Sequence, residues 1–202
     1  MNSGDIMSEK YLYPDNRVIK TKERVKKSLL TLLNQKNFND ITIMDIVKLA
    51  KINRGTFYNH YKNKEQLLNE IVDEIMADLI HSYRSPYQSN KKLKISDISP
   101  STVKLFDHVY KNYTFYSSIV NSDMLPTFQH RLCLELCRLA LYDVRISNPK
   151  INSNLYASYT AFATGGMLIE WVRGGFKYSP DYMAKQLVEI LNISPNQIMV
   201  ER

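Results

Sequence analysis

Residues 42–64 read TIMDIVKLAKINRGTFYNHYKNK, and this stretch decides the fold. Thr42 stands where a helix N-cap is needed, because its hydroxyl can take an orphan backbone N–H, and Asp45 three residues later complements the helix N-terminus. Ile43, Ile46, Val47 and Ala50 follow at helical spacing and predict one apolar face. Asn53 is a second N-cap, opening a helix expected to run to about Tyr61, with Phe57 and Tyr61 four apart and inward. Arg54, Thr56, Tyr58, Asn59, His60 and Lys62 are left outward. Guanidinium, hydroxyl, amide and imidazole groups suit base edges and phosphate oxygens, and Gly55 would let the helix approach a duplex closely. Asn63 is a third N-cap, with Gln66 at its N3 position. Lys64 then falls in a first helical turn, against the helix dipole, and a phosphate partner would explain it. Short capped helices in this order are the pattern of a DNA-reading helix-turn-helix.

The charge distribution agrees. The formal charge of the 202-residue chain is +7. Residues 1–64 hold thirteen Lys/Arg against six Asp/Glu, whereas 65–202 hold fourteen of each, so the whole excess lies on the segment with the motif. A basic patch is the electrostatic footprint of a nucleic-acid binder. The plainer alternative is a solvated lysine-rich helix, since Lys20, Lys22, Arg24, Lys26 and Lys27 begin one.

Helical periodicity continues along the chain, and strand alternation is absent, which predicts an all-α protein. A first helix over 17–34 turns Val25, Leu29, Leu32 and Leu33 inward, with Phe38 closing a small core. A long helix from Lys64 to about Tyr83 carries Leu67, Leu68, Ile71, Ile75 and Leu79 on one side. Residues 84–100, with Ser, Pro, Asn and three lysines, read as a loop. Further helices are expected over 101–121 in two pieces, 126–144, 153–172 and 180–191. Pro126 and Pro180 suit first turns, and Gly174-Gly175 mark a helix end. The division predicted is a helix-turn-helix domain over 1–63, with a tail over 1–16, and a ligand-binding and dimerisation bundle over 64–202.

The second part is rich in rings. Tyr110, Tyr113, Tyr142, Tyr159 and Phe162 are candidates for an effector pocket with polar tips; ordinary core packing is the other reading. Gly165-Gly166 inside a helix costs about 1 kcal/mol per glycine relative to alanine. Close approach of another helix would compensate, within the subunit or across a dimer interface. Cys133 and Cys137 read as reduced core thiols rather than a metal or redox pair. Among His60, His81, His108 and His130 none neighbours a nucleophile motif, and Asp107-His108 reads as a surface or pocket polar pair. With no Gly-rich phosphate loop and no hydrolase or metalloprotease motif, no catalytic residue, metal or cofactor is expected. The uncharged run 151–169 carries too many Asn, Ser and Thr residues for a membrane span, and the N-terminus lacks a signal-peptide core. A cytoplasmic protein without membrane contact is expected.

Over 17–75 the sequence resembles the N-terminal domain of the tetracycline-repressor (TetR) family of bacterial regulators. The resemblance is strongest at NRGTFYNHYKNK (53–64) and the EQLL that follows. It implies a recognition helix in the major groove, capped by Asn53. Phosphate contacts would come from Thr42, Tyr58, His60 and Lys64, and base-facing positions would be Arg54, Gly55, Thr56 and Asn59. Many members have glycine in the turn where this chain has Lys51, a position that often needs positive φ. GGMLIEWVRGGFKYSPDYMAKQL (165–187) is similar to the C-terminal helices of a subgroup that includes regulators of dihydroxyacetone metabolism. In the family the last two long helices of each subunit form a four-helix dimer interface, which implies Gly165, Gly166, Trp171, Leu187 and Ile190 here. The resemblance further implies a homodimer on a near-palindromic double-stranded operator and a small-molecule effector that releases a repressor. A regulator or coactivator acting through a protein partner, without a functional pocket, is the rival.

Overall fold

The computed structural model describes residues 16–87, 99–100, 103–144, 146 and 148–193. The expected N-terminal tail and most of the loop over 84–100 lie outside them. Among the described residues the regular elements are helical: α1 (Asn16–Leu33), α2 (Ile43–Ala50), α3 (Arg54–Tyr58), α4 (Lys64–Arg84), α5 (Leu105–Lys111), α6 (Tyr113–Val120), α7 (Leu125–Asp143), α8 (Ser153–Arg173) and α9 (Pro180–Asn192). Single 3-10 turns lie at Phe38–Asp40 and Ser85–Tyr87.

The chain forms two compact units, Met1–Glu70 and Ile71–Arg202. The division falls inside α4 rather than at its start. The physical reason is that the first turns of α4 belong to the N-terminal core. Leu67 and Leu68 are buried, and the Glu70 carboxylate accepts hydrogen bonds from the Lys22 ammonium at 3.2 Å and the Tyr61 hydroxyl at 3.2 Å. Lys26 pairs with the same carboxylate at 2.9 Å. Burial pushes the Glu70 carboxyl up, but the two ammoniums outweigh it and hold it below its ordinary value.

In the N-terminal unit α1 packs on α2 and α2 on α3. Val25, Leu29, Leu32, Leu33 and Phe38 are buried as their spacing predicts, together with Ile46, Val47 and Ala50 from α2. Phe57 and Tyr61 are fully buried, their centroids 5.6 Å apart. Each such side chain contributes about 1.5–3 kcal/mol by leaving water, so two rings are enough to pin a helix of one and a half turns.

In the C-terminal unit α7 and α8 form the most extensive pair, α6 packs on α8, and α9 packs on α5. The core is aromatic: Phe115, Tyr116 and Phe128 meet edge to face at 5.3–5.8 Å, and Phe106 meets Trp171 at 5.6 Å. Gly165 explains its own presence, because a Cβ there would stand 2.9 Å from the Cys133 sulfur. The close approach is therefore between α8 and α7 inside the subunit. Gly166 has open space where its Cβ would be. His108 corrects the reading of a surface pair. It is buried, its Nδ1 3.1 Å from the Asp78 carboxylate and its Nε2 3.1 Å from the Tyr116 hydroxyl, which ties α4, α5 and α6 together. Burial is the main influence on the imidazole and lowers its pKa despite Asp78, and burial raises the Tyr116 phenol far above its ordinary value. Cys133 is buried and its thiol raised by that burial; Cys137 is half-buried, and both are free.

Candidate nucleic-acid interface

The motif begins with a complete capping box. Thr42 is extended (φ −98°, ψ 158°), its hydroxyl accepts the Asp45 N–H at 3.2 Å, and its own N–H donates to the Asp45 carboxylate at 2.8 Å. The Thr42 hydroxyl hydrogen also goes to Asp45, at 2.8 Å, and the Lys36 ammonium completes the set at 2.7 Å. The hydrogen bond from Lys36, then those from Thr42, hold the Asp45 carboxyl far below the usual carboxylate range. The start of α2 is thus fixed by sequence-local chemistry, while the Thr42 hydroxyl is already engaged.

Lys51 closes α2 in the left-handed region, φ 54° and ψ 49°, and Ile52 N–H reaches back to the Val47 carbonyl at 3.1 Å. This is the backbone that glycine adopts without cost, and lysine adopts it here. The turn then delivers Asn53 in an extended conformation (φ −85°, ψ 161°), whose side-chain oxygen accepts from the Thr56 N–H at 2.6 Å and from the Thr56 hydroxyl at 2.8 Å.

The helix after Asn53 ends at Tyr58, earlier than the expected Tyr61. Asn63 caps α4, its side-chain oxygen accepting the Gln66 N–H at 2.8 Å, and the chain turns at Asn59 and His60 to reach it. The Tyr61 N–H still bonds to the Phe57 carbonyl at 2.9 Å, which keeps the ring in register. On the outer face Asn53, Arg54, Gly55, Tyr58 and Asn59 are exposed, and Thr56 and His60 are half-buried. An added Cβ at Gly55 would meet nothing closer than Asn53 Oδ1 at 3.4 Å, so the fold itself does not require glycine there.

Lys64 has a second occupation that the sequence did not reveal. Its ammonium donates to the carbonyls of Phe38 at 2.7 Å, Asn39 at 3.0 Å and Ile41 at 2.7 Å, and lies 4.7 Å from the centre of the Phe38 ring. All three of its hydrogens are spent on the turn that leads into Thr42. The signal in sequence was faint: a lysine in a first helical turn, where the dipole disfavours it, needs acceptors, and carbonyls serve as well as phosphates.

A family profile described as "Bacterial regulatory proteins, tetR family" matches residues 28–71, and one described as "Transcriptional regulator C-terminal region" matches 96–193. The chain belongs to the TetR family. Among similar curated proteins of known sequence, the uncharacterised HTH-type transcriptional regulator YxbF of Bacillus subtilis is 24% identical over 206 residues, covering 98% of this chain and 50% of that protein. The dhaKLM operon transcriptional activator DhaS of Lactococcus lactis is 29% identical over 110 residues, covering 54% of this chain and 53% of that protein. The chain spans about half the length of these two relatives. Solved structures agree on the TetR fold. A putative TetR-family regulator from Syntrophomonas wolfei has a TM-score of 0.64 at 19% identity, over 85% of this chain and 93% of that one. The dihydroxyacetone kinase operon activator DhaS has a TM-score of 0.57 at 23% identity, over 86% and 94%.

Against that TetR framework, the rings expected at a pocket are open to solvent in the single chain. Tyr110, Tyr113, Tyr142, Tyr159 and Phe162 are all more than half exposed, Tyr159 to 74%. The reason is their phase: on α8, Tyr159 and Phe162 stand opposite the buried Ala157, Ala161 and Gly165 that face the core. The residues expected at a dimer interface divide. Trp171 is buried, with its indole N–H donating to the Tyr178 carbonyl at 2.9 Å, and Gly165 is used inside the subunit. Gly166, Leu187 and Ile190 retain outward surface. An open groove of about 400 Å³ lies between α8 and α9, lined by Met167, Trp171, Tyr182, Met183, Gln186 and Ile190. Among the described residues no helix is long and apolar enough to cross a membrane, and no cluster suited to a metal occurs.

Proposed function

We propose that this TetR-family chain acts in the cytoplasm as a homodimer that grips a near-palindromic double-stranded operator, α3 of each subunit entering the major groove. The observation that carries this is the outer face of α3: Arg54, Gly55, Tyr58 and Asn59 are exposed on a helix whose core side is held by Phe57 and Tyr61. The concentration of the whole positive excess in residues 1–64 supports it. Two copies would meet successive major grooves about 34–36 Å apart, or a multiple of the helical turn. Asn53 acts by capping and Lys64 by holding the turn before α2. Thr42, Tyr58 and His60 lie toward the backbone, and Arg54, Gly55, Thr56 and Asn59 toward the bases.

Dimerisation is supported by an outward apolar row on α8, Leu155, Tyr159, Phe162 and Gly166, spaced so that they share one face, and by exposed Ile190 on α9. Rings that line no enclosed pocket have a natural place at a subunit contact. Footprinting on DNA flanking the chain's own gene tests the reading. A protected site with two related half-sites is expected, and no retardation of any duplex at low ionic strength would defeat it. Phe162→Asp should yield a monomer in sedimentation.

Release by a small-molecule effector, as a population shift between subunit spacings, is the first reading of regulation. The second is an activator or coactivator working through a protein partner. The exposure of all five candidate rings favours the second, as does the similarity to a relative named an operon activator. Transcription assays with and without the chain on a footprinted promoter separate them by the sign of the change.

A further inference from the structure

Arg54 and Tyr58, the first and last residues of α3, form a pair that neither role assigned to them singly requires. The Arg54 Nη2 donates to the Tyr58 hydroxyl at 3.1 Å, and the guanidinium carbon stands 5.4 Å from the centre of the Tyr58 ring. The ring is itself steadied from below, edge to face with buried Phe57 at 5.7 Å. Both residues are exposed, and such a contact between i and i+4 on a helix surface adds little to stability. Its effect is on freedom. An unrestrained arginine spreads over many rotamers, and ordering it at a base edge subtracts from binding. A guanidinium resting on a phenol has lost much of that freedom beforehand. One of its five N–H groups is taken, and the remainder can still make the two parallel hydrogen bonds that the O6 and N7 acceptors of guanine accept. Between the pair, Gly55 offers no side chain to hold the helix off, and the fold does not demand glycine there.

We propose that Tyr58 is a positioning residue for Arg54: its hydroxyl and ring set the guanidinium to read a guanine in each half-site. This rests on the DNA-binding reading above, and it gives Tyr58 a share in sequence discrimination. A phosphate contact alone would act on every duplex alike.

The test begins with a duplex recovered from a randomised pool by the wild-type full-length protein. Binding to that duplex and to a random one is then measured across a salt series for wild type, Tyr58→Phe, Arg54→Ala and the double variant. Tyr58→Phe should lose about fivefold on the selected duplex, the size expected for one hydrogen bond, and less than twofold on the random one. In the Arg54→Ala background the same substitution should have no further effect. Replacing the contacted guanine by 7-deazaguanine, which lacks the N7 acceptor, should weaken wild type and leave Arg54→Ala unaffected. Equal loss on both duplexes would assign Tyr58 to phosphate and overturn the proposal. Independent effects of the two substitutions would overturn it as well. If the pool yields no preferred duplex for wild type, the DNA-binding reading itself has failed, an outcome distinct from the other two.

Discussion

Replacing Lys64 by methionine keeps most of the aliphatic stem against Phe38 and removes the ammonium. Three hydrogen bonds, to the carbonyls of Phe38, Asn39 and Ile41, disappear. A hydrogen bond to a charged group contributes about 1.5–3 kcal/mol when well shielded. This ammonium is only half-buried, and the Asn39 contact is at the surface, so water recovers much of the loss. A net destabilisation of about 2–3 kcal/mol remains, allowing for that recovery. In a domain of this size each kcal/mol moves the melting midpoint by about 4–8 °C, so a fall of roughly 10 °C or more should appear in circular dichroism. Because all three ammonium hydrogens are directed at carbonyls and none at a phosphate, the salt slope for DNA binding should stay close to that of wild type. A variant that melts like wild type yet loses about one unit of salt slope would refute this reasoning and restore Lys64 to a phosphate.

Three further outcomes are expected. Lys51→Gly should stabilise the N-terminal unit by roughly 0.5–1 kcal/mol in denaturant melts, since a left-handed non-glycine costs about 1–2 kcal/mol and glycine's extra unfolded freedom returns part of it. Gly165→Ala should cost about 1–3 kcal/mol by forcing its methyl against the Cys133 sulfur, and Cys133→Ala in the same chain should recover most of that. Burial lowers the folded-state pKa of His108, so the unfolded chain binds more protons as pH falls below 6.5. Stability should therefore drop between pH 7 and 5 in wild type and drop less in His108→Gln, as read by urea unfolding at both pH values.

Much of the architecture could be read from spacing because the helices announce themselves locally. Asn53, Asn63 and Ser179 cap through their own side chains, and apolar residues recur at helical period on α1, α2 and α4. The stop of α8 at Gly174 fell where the glycine pair marked it. What escaped was settled by partners distant in sequence. Lys64 finds its acceptors more than twenty residues back, and His108 finds Asp78 on another helix. The exposure of each ring was not legible either, because a tyrosine's neighbours depend on helix phase and packing order: Tyr116 is core and Tyr159 surface. The length of α3 was misjudged because its end is dictated by the next cap rather than by its own residues.

The brevity of α3 makes it an exchangeable cassette. Its anchoring falls to Phe57 and Tyr61, its entry to Asn53 and its exit to Asn63, while Arg54, Gly55 and Asn59 are exposed and only Tyr58 among the outward positions rests on a core ring. Under the proposed DNA-binding role, new letters at positions 54, 55 and 59 would retarget the protein to another promoter with little change in thermal tolerance. A lineage that duplicated this gene would have the same freedom, drifting toward new genomic addresses without first having to rebuild its scaffold.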